Sequence, residues 1–310
     1  MGRPSQARSD FGFQEPTISK GMDAQRATGA LRWAVIALFA WALVWAQQLP
    51  FEPSHNFGQS ITGAFEGWFP NSDGSFSILL GYYNRNLKQE LEIPLGPDNR
   101  IEPGGPDQGQ PTHFLAARQW GVFTIRVPKD FGDRKLTWTI TANGKTTSIP
   151  LSLNPLWEVE PFREASGNAP PFIGFSANGP WVQGPAGQTN SVTVTAPEPA
   201  DLTVWVADDA AAPLAGPVPT TPAVTVSWSK LRGPGTVTFA NARPAVEKAD
   251  FKAPPSTKFT GTAHTTAIFG EPGDYILRVV ANDWSEDGGR GFQCCWSNAQ
   301  VKVSVKAARQ

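Results

Sequence analysis

Apolar and polar residues alternate in short runs along most of this chain, and turn-forming residues break the runs at close intervals. Ala64–Phe69 ends at the turn Asn71-Ser72-Asp73-Gly74, after which Ser75–Tyr83 and Lys88–Ile93 alternate again. A period of two puts one set of side chains on a buried face, so each run predicts a strand. Trp120–Val127, Lys135–Thr141 and Thr146–Leu151 read the same way, and Asn143-Gly144 between the last two is a strong hairpin turn. The Pro/Gly stretch Pro94–Pro111 predicts a long loop. With no helical periodicity, residues 57–160 predict a β-sandwich of no recognised family. Residues 161–188, rich in Pro, Gly and Asn and containing Asn168-Ala169-Pro170-Pro171, predict a linker, with Phe172–Ser176 opening the next module. Beyond it, Ser191–Thr195, Leu202–Ala207, Val224–Ser229, Thr236–Phe239, Thr265–Phe269, Tyr275–Ala281 and Ala299–Val305 are β-type segments rich in Val and Thr. Seven such segments predict an immunoglobulin-like sandwich over 189–306. The expected fold class is all-β: two Ig-like β-sandwich domains in series after an N-terminal signal or anchor segment.

That leading segment, residues 1–46, breaks the pattern. Trp33–Ala46 is an unbroken apolar run, too short for the roughly 20 residues of a membrane span and of the right length for a signal-peptide core. Arg26 and Arg32 precede it, and Val44-Trp45-Ala46 has the small-residue spacing of a cleavage site. Met22 would open a signal peptide of ordinary length. Two outcomes stay open: cleavage after Ala46, or retention as an anchoring transmembrane helix. Either leaves residues 47–310 outside the cytoplasm, whether periplasmic, secreted or membrane-anchored, because the positive charges lie on the N-terminal side.

Composition narrows the function classes. Lys and Arg number 26 against 27 Asp and Glu, so there is no basic excess and no nucleic-acid partner is expected. The 30 glycines and 29 prolines argue against a helical bundle, and 40% hydrophobic residues with 12 Trp argue against disorder.

One stretch has a known look. Val224-Thr-Val-Ser-Trp228, Gly233-Pro234-Gly235 and Phe239, followed by Glu271-Pro272-Gly273-Asp274-Tyr275-Ile-Leu-Arg-Val and Asn282-Asp283, resemble the W…GPG…F and PGxYxLxV core of the polycystic-kidney-disease (PKD)-type Ig-like repeats. The resemblance covers about 190–306. It departs from the family at Trp284, where such repeats show Gly, and in the insertion around Cys294-Cys295. It implies an extracellular spacer or a protein- or glycan-contacting module without catalytic residues.

Candidate chemistry gathers at one pole of this module. In an Ig-type sandwich the loops B–C (208–223) and F–G (282–298) emerge at the same end. Asp208, Asp209, Asp283 and Asp287 then converge, and clustered carboxylate oxygens are ligands for calcium; solvated or turn-capping carboxylates are the other reading. Adjacent Cys294 and Cys295 can close a vicinal disulfide or remain thiols. Loop tryptophans are costly to expose, so Trp284 and Trp296 join the acidic residues as binding-loop candidates, covering a partner, a sugar ring or the other domain. The histidines His55, His113 and His264 lie in separate regions, and Ser227–Lys230 matches the S-x-x-K spacing only inside a strand, where the two residues alternate faces. No catalytic residue is assigned and no cofactor is expected beyond calcium. The reading is a non-enzymatic exported binding or scaffold protein whose partner is an extracytoplasmic protein or glycan. Its alternatives are a membrane-anchored accessory subunit, attached through the N-terminal helix, and a redox or metal-dependent enzyme built on the acidic loops and the cysteine pair.

Overall fold

A computed structural model describes residues 55–163, 167–187, 189–211, 224–283 and 295–308. Contacts divide the chain after Pro53, and residues 54–310 form one compact unit. Strand is the dominant element; the described residues contain a single short 3-10 helix, Pro155–Trp157, and no helix long and apolar enough to cross a membrane.

Two sheets build the first half. Strands β1 (Ile61–Pro70), β2 (Phe76–Asn84) and β6 (Ala117–Val127) form one, in the order β1-β2-β6. Strands β4 (Asn99–Glu102), β7 (Leu136–Ala142) and β8 (Lys145–Leu151) form the other, and β7 and β8 make the hairpin expected from Asn143-Gly144. Ile61, Ile78, Leu80, Tyr82 and Ile125 from the first sheet pack on Ile101, Trp138 and Ile140 from the second. The expected loop 94–111 holds β4, and the short pair β3 (Leu91–Glu92) and β5 (His113–Phe114) lies beside it. Asn99 anchors that region: buried, its amide donates to Ile93 O and Pro111 O, while its Oδ1 accepts from the Trp138 indole at 3.1 Å. One buried side chain thus fixes backbone that has no apolar pattern of its own.

The second half is an Ig-like sandwich. Strands β9 (Phe172–Gly174), β10 (Trp181–Val182), β12 (Ala200–Asp208), β14 (Val237–Phe239), β15 (Glu247–Lys248) and β16 (Phe259–Phe269) share one sheet. The other runs β11-β18-β17-β13, with β11 (Thr189–Thr195) parallel to β18 (Trp296–Lys306), and β17 (Gly273–Asp283) flanked by β18 and β13 (Val224–Arg232). The residues of the GPG motif wrap a ring. Gly233 has φ of +142°, and a Cβ there would lie 2.1 Å from the Tyr275 ring; the Tyr275 hydroxyl accepts from Gly235 N and donates to Glu271 O. Trp228, five residues before Gly233, is buried in the same core. The segment 161–188, expected as a linker, contributes β9 and β10 to the sheet, with Ile173 fully buried against β12.

The two sandwiches are stacked. Strand β2 is buried on both faces: Ile78, Leu80 and Tyr82 face the first core, while Leu79 packs with Phe69 against Trp296 of β18. This differs from the alternation expected for Ser75–Tyr83, because Ile78-Leu79-Leu80 is a continuous apolar run and such runs belong to strands covered on both sides. Opposite it, the outer face of β17 offers Ile276, Arg278 and Val280 rather than a solvated surface.

A buried polar knot ties this interface. Arg278 donates to Gly121 O at 3.0 Å, to Trp120 O and to Asn298 Oδ1 at 2.9 Å. Asn298 in turn donates to Gly121 O and Pro185 O. Glu66 accepts from Gly121 N at 2.7 Å and from Arg118 at 2.6 Å, and the Arg118 guanidinium lies 3.8 Å over the Trp120 ring. Burial holds the Glu66 carboxyl above its ordinary range against the pull of Arg118 and the Gly121 amide. A second ionic patch joins the halves further along β13. Lys230 pairs with Glu92, which His113 also contacts at 2.8 Å, and Arg232 grips Asp107 with two bonds of 2.9 and 2.8 Å. Asp107 is therefore engaged by Arg232 and held below the usual carboxylate range by it.

Candidate cation and contact site at one pole of the second sandwich

The pole forms where β12 and β17 end and β13 and β18 begin. Asp283 is in register with Val224, and Asn282 with Trp296, so β13, β17 and β18 reach the same level. Asp208, the last residue of β12, comes from the opposite sheet and pairs with Phe259. The chain turns sharply after it: Ala210 has φ of +50°, and the Ala210 and Ala211 amides donate to Asp208 Oδ2 at 2.7 Å and Asp209 Oδ1 at 2.8 Å. Short acidic side chains suit such a turn because they bond backbone two residues on.

Three carboxylates meet here. One oxygen from each of Asp208, Asp209 and Asp283 lies within 4.8 Å of the others. Asp208 and Asp283 are buried, at 1% and 0% exposure, and Asp209 is half-buried. Asp208 Oδ1 is buried and has no hydrogen-bond partner. Desolvation, reinforced by the neighbouring Asp209 charge, pushes the Asp208 carboxyl up to about 7, and backbone amides are what pull the other way.

The structure brings together some of the residues singled out by sequence and separates others. Asp208, Asp209 and Asp283 meet. Asp287, Trp284 and Cys294 lie outside the described residues. Trp296 is a correction: it begins strand β18 rather than sitting in a loop, is 7% exposed, and packs on Gly121, Phe69 and Leu79 of the first sandwich. Of the coverings weighed for it, the other domain is the one observed, so it is not available to an outside ligand. Cys295 is buried and disulfide-bonded, with its sulfur 3.6 Å from Asn168 O; the chain's one other cysteine is Cys294. Sequence reasoning missed Glu66, Arg118, Arg278 and Asn298. The available signal was the outward face of the 276–280 segment, where Ile276 and Val280 flank Arg278 with apolar residues that a solvated strand face would not carry.

No protein-family model matches the chain, and no curated protein does. Among solved structures, the chain is similar to the fibronectin(III)-like modules of Clostridium thermocellum CbhA, at 13% identity over 81% of this chain and 96% of that one, with a TM-score of 0.22. It is also similar to domains 4 and 5 of the S-layer protein SbsC (11% identity, 80% and 98% covered, TM-score 0.21). A third is CfaE, the adhesive subunit of CFA/I fimbria of enterotoxigenic Escherichia coli (8%, 83% and 81%, 0.24). Overlaps this slight carry no argument about function. The chain's own sheets assign the fold: it is all-β, built as Ig-like sandwich.

A pH prediction follows from the pole. With divalent ions chelated, Asp208 binds its proton more tightly in the folded chain than in the unfolded one. Its contribution therefore favours folding in acid and is lost as pH rises from about 4 to about 7. Asp208→Asn keeps an acceptor for the Ala210 amide and removes the charge. In chelator, the variant is expected to match wild type near pH 4 and to exceed it at pH 8, by roughly 1.4 kcal/mol for each unit of the shift. Urea midpoints at the two pH values check this, and a gap independent of pH would refute it.

Proposed function

We propose that this chain is an exported, non-enzymatic binding or scaffold protein, and that the pole of its second sandwich makes contact with an extracytoplasmic protein or glycan. The observation that carries the reading is the mounting of that pole. Four strand ends deliver the connections 212–223 and 284–294 to one place, and the frame behind them is held against the first sandwich by the Arg278 and Glu66 knot. Binding loops work best on rigid scaffolds, because a fixed frame lowers the entropy lost on association. The wrapped Tyr275 and buried Trp228 support a PKD-type assignment of 189–306, with 57–160 as the companion sandwich. A vicinal Cys294–Cys295 disulfide at the root of the second connection would stiffen it, and Trp284 and Asp287 would lie on its contact surface. The apolar run Trp33–Ala46 supports export and leaves room for the anchored-subunit reading, in which it is retained as a membrane helix.

The test is affinity capture from the extracytoplasmic fraction of the native host, using the full chain and a variant with residues 285–293 replaced by Asn-Gly. The expected result is a partner captured by wild type and lost from the variant at unchanged circular dichroism. Undiminished capture by the variant would remove the pole from the reading, and recovery of the native protein from the cytoplasm would end the export proposal. N-terminal sequencing of the membrane fraction distinguishes the cleaved form from the anchored one.

A further inference from the structure

The acidic pole is built as more than a solvated cluster. Two of its three carboxylates are buried, and one oxygen of the buried Asp208 is left without a hydrogen-bond partner. An orphaned buried carboxylate oxygen is costly and calls for a cation or a donor. The turn after β12 uses Asp208 Oδ2 and Asp209 Oδ1 for backbone amides, which leaves the other oxygen of each for a ligand. Three oxygens mutually within 4.8 Å share a point no more than about 2.8 Å from each, and a few tenths of an ångström of closure gives the 2.3–2.6 Å of calcium–oxygen bonds. Magnesium demands shorter bonds in near-ideal octahedral geometry and keeps most of its water, so this open triangle suits it poorly.

We propose that Asp208, Asp209 and Asp283 hold a calcium ion, each through a carboxylate oxygen, with water completing the shell. Asp208 and Asp209 belong to the end of β12 and the turn after it, and Asp283 to the end of β17. The ion therefore ties the two sheets of the sandwich together at the pole that carries both connections. The inference deepens the contact reading by giving that surface a calcium-dependent order, and it rests on that reading only for its consequence; the binding itself is measured without a partner.

The experiment uses the full chain, stripped with EDTA and dialysed, with thermal unfolding followed during titration of calcium chloride to about 10 mM. For a site of extracellular-module affinity the melting temperature is expected to rise by roughly 3–10 °C. The same concentration of magnesium chloride is expected to produce no comparable rise. Asp283→Asn and, independently, the half-buried Asp209→Asn are expected to abolish the calcium response while unfolding cooperatively in EDTA; Asp209→Asn keeps the test decisive where the buried substitution impairs folding. No rise in wild type, an equal rise with magnesium, or an undiminished rise in Asp209→Asn would each overturn the site. Such a result would leave the contact reading to the loop-replacement capture, whose outcome does not depend on it.

Discussion

Gly121→Ala is expected to destabilise residues 54–310 by about 3–5 kcal/mol, an outsized effect for one methyl group. Two costs combine. Gly121 has φ of +49°, a left-handed conformation that charges a non-glycine residue roughly 1–2 kcal/mol. Its new Cβ would lie 2.2 Å from Trp296 Cζ2 and 2.7 Å from Cε2, so the indole or the backbone must shift. Neither moves freely. The indole is packed with Phe69 and Leu79, and the Gly121 carbonyl and amide are held by Arg278, Asn298 and Glu66. The steric part depends on the indole being present. In a Trp296→Ala background, itself less stable than wild type, adding Gly121→Ala should cost only the conformational part. A double-mutant cycle from urea unfolding should thus show a coupling of about 2 kcal/mol. Equal costs in both backgrounds would mean that the two sandwiches do not meet at this glycine.

Glu66→Ala is the second large effect, at about 3–5 kcal/mol. The substitution takes from the Arg118 guanidinium its only carboxylate among the described residues, leaving it just the Tyr82 and Gln119 carbonyls, takes the acceptor from the Gly121 amide, and removes the negative charge facing Arg278. The pair itself is not a strong source of stability, since burial outweighs Arg118 in setting the Glu66 carboxyl. The damage comes from stranding the partner. Replacing both residues, Glu66→Met with Arg118→Met, should therefore cost clearly less than the sum of the single changes, because the uncompensated charge disappears with its partner. Additive single and double variants would show that Glu66 and Arg118 act independently and that the knot is no unit.

The sequence was most informative where one face of a strand meets one core. Val301, Val303 and Val305 alternate with Gln300, Lys302 and Ser304, and Leu202, Val204 and Val206 alternate with Asp201, Thr203 and the half-buried Trp205; both runs form strands with the aliphatic residues inside. Asn143-Gly144 needs positive φ at both positions and has it, at 50° and 75°, so the β7–β8 hairpin was legible from two residues. The convergence of the pole followed from strand order, since an Ig-like arrangement of β12, β13, β17 and β18 leaves Asp208 and Asp283 at the same end whatever the loops contain.

Other features depend on residues far apart in the chain. Strands β4, β5, β10 and β15 are two to four residues long and carry no period of their own; they pair because β7, β3, β9 and β16 offer them edges. Trp296 read as a loop residue because the polar and irregular segment before it hides where β18 starts, and its register with Asn282 supplies the start. The stacking of the two sandwiches was the least legible feature. Alternation reports that a strand has a buried face, and it reports nothing about what covers the other face. Arg278 looks solvated in isolation; only when Gly121, with no side chain to stand in the way, brings its carbonyl to 3.0 Å does that arginine become part of an interior. Local pattern fixes which residues seek burial, because that depends on each side chain's own cost in water. Which surfaces bury each other depends on shape and on the pairing of buried polar groups across long stretches of chain, and these exist only in the folded protein.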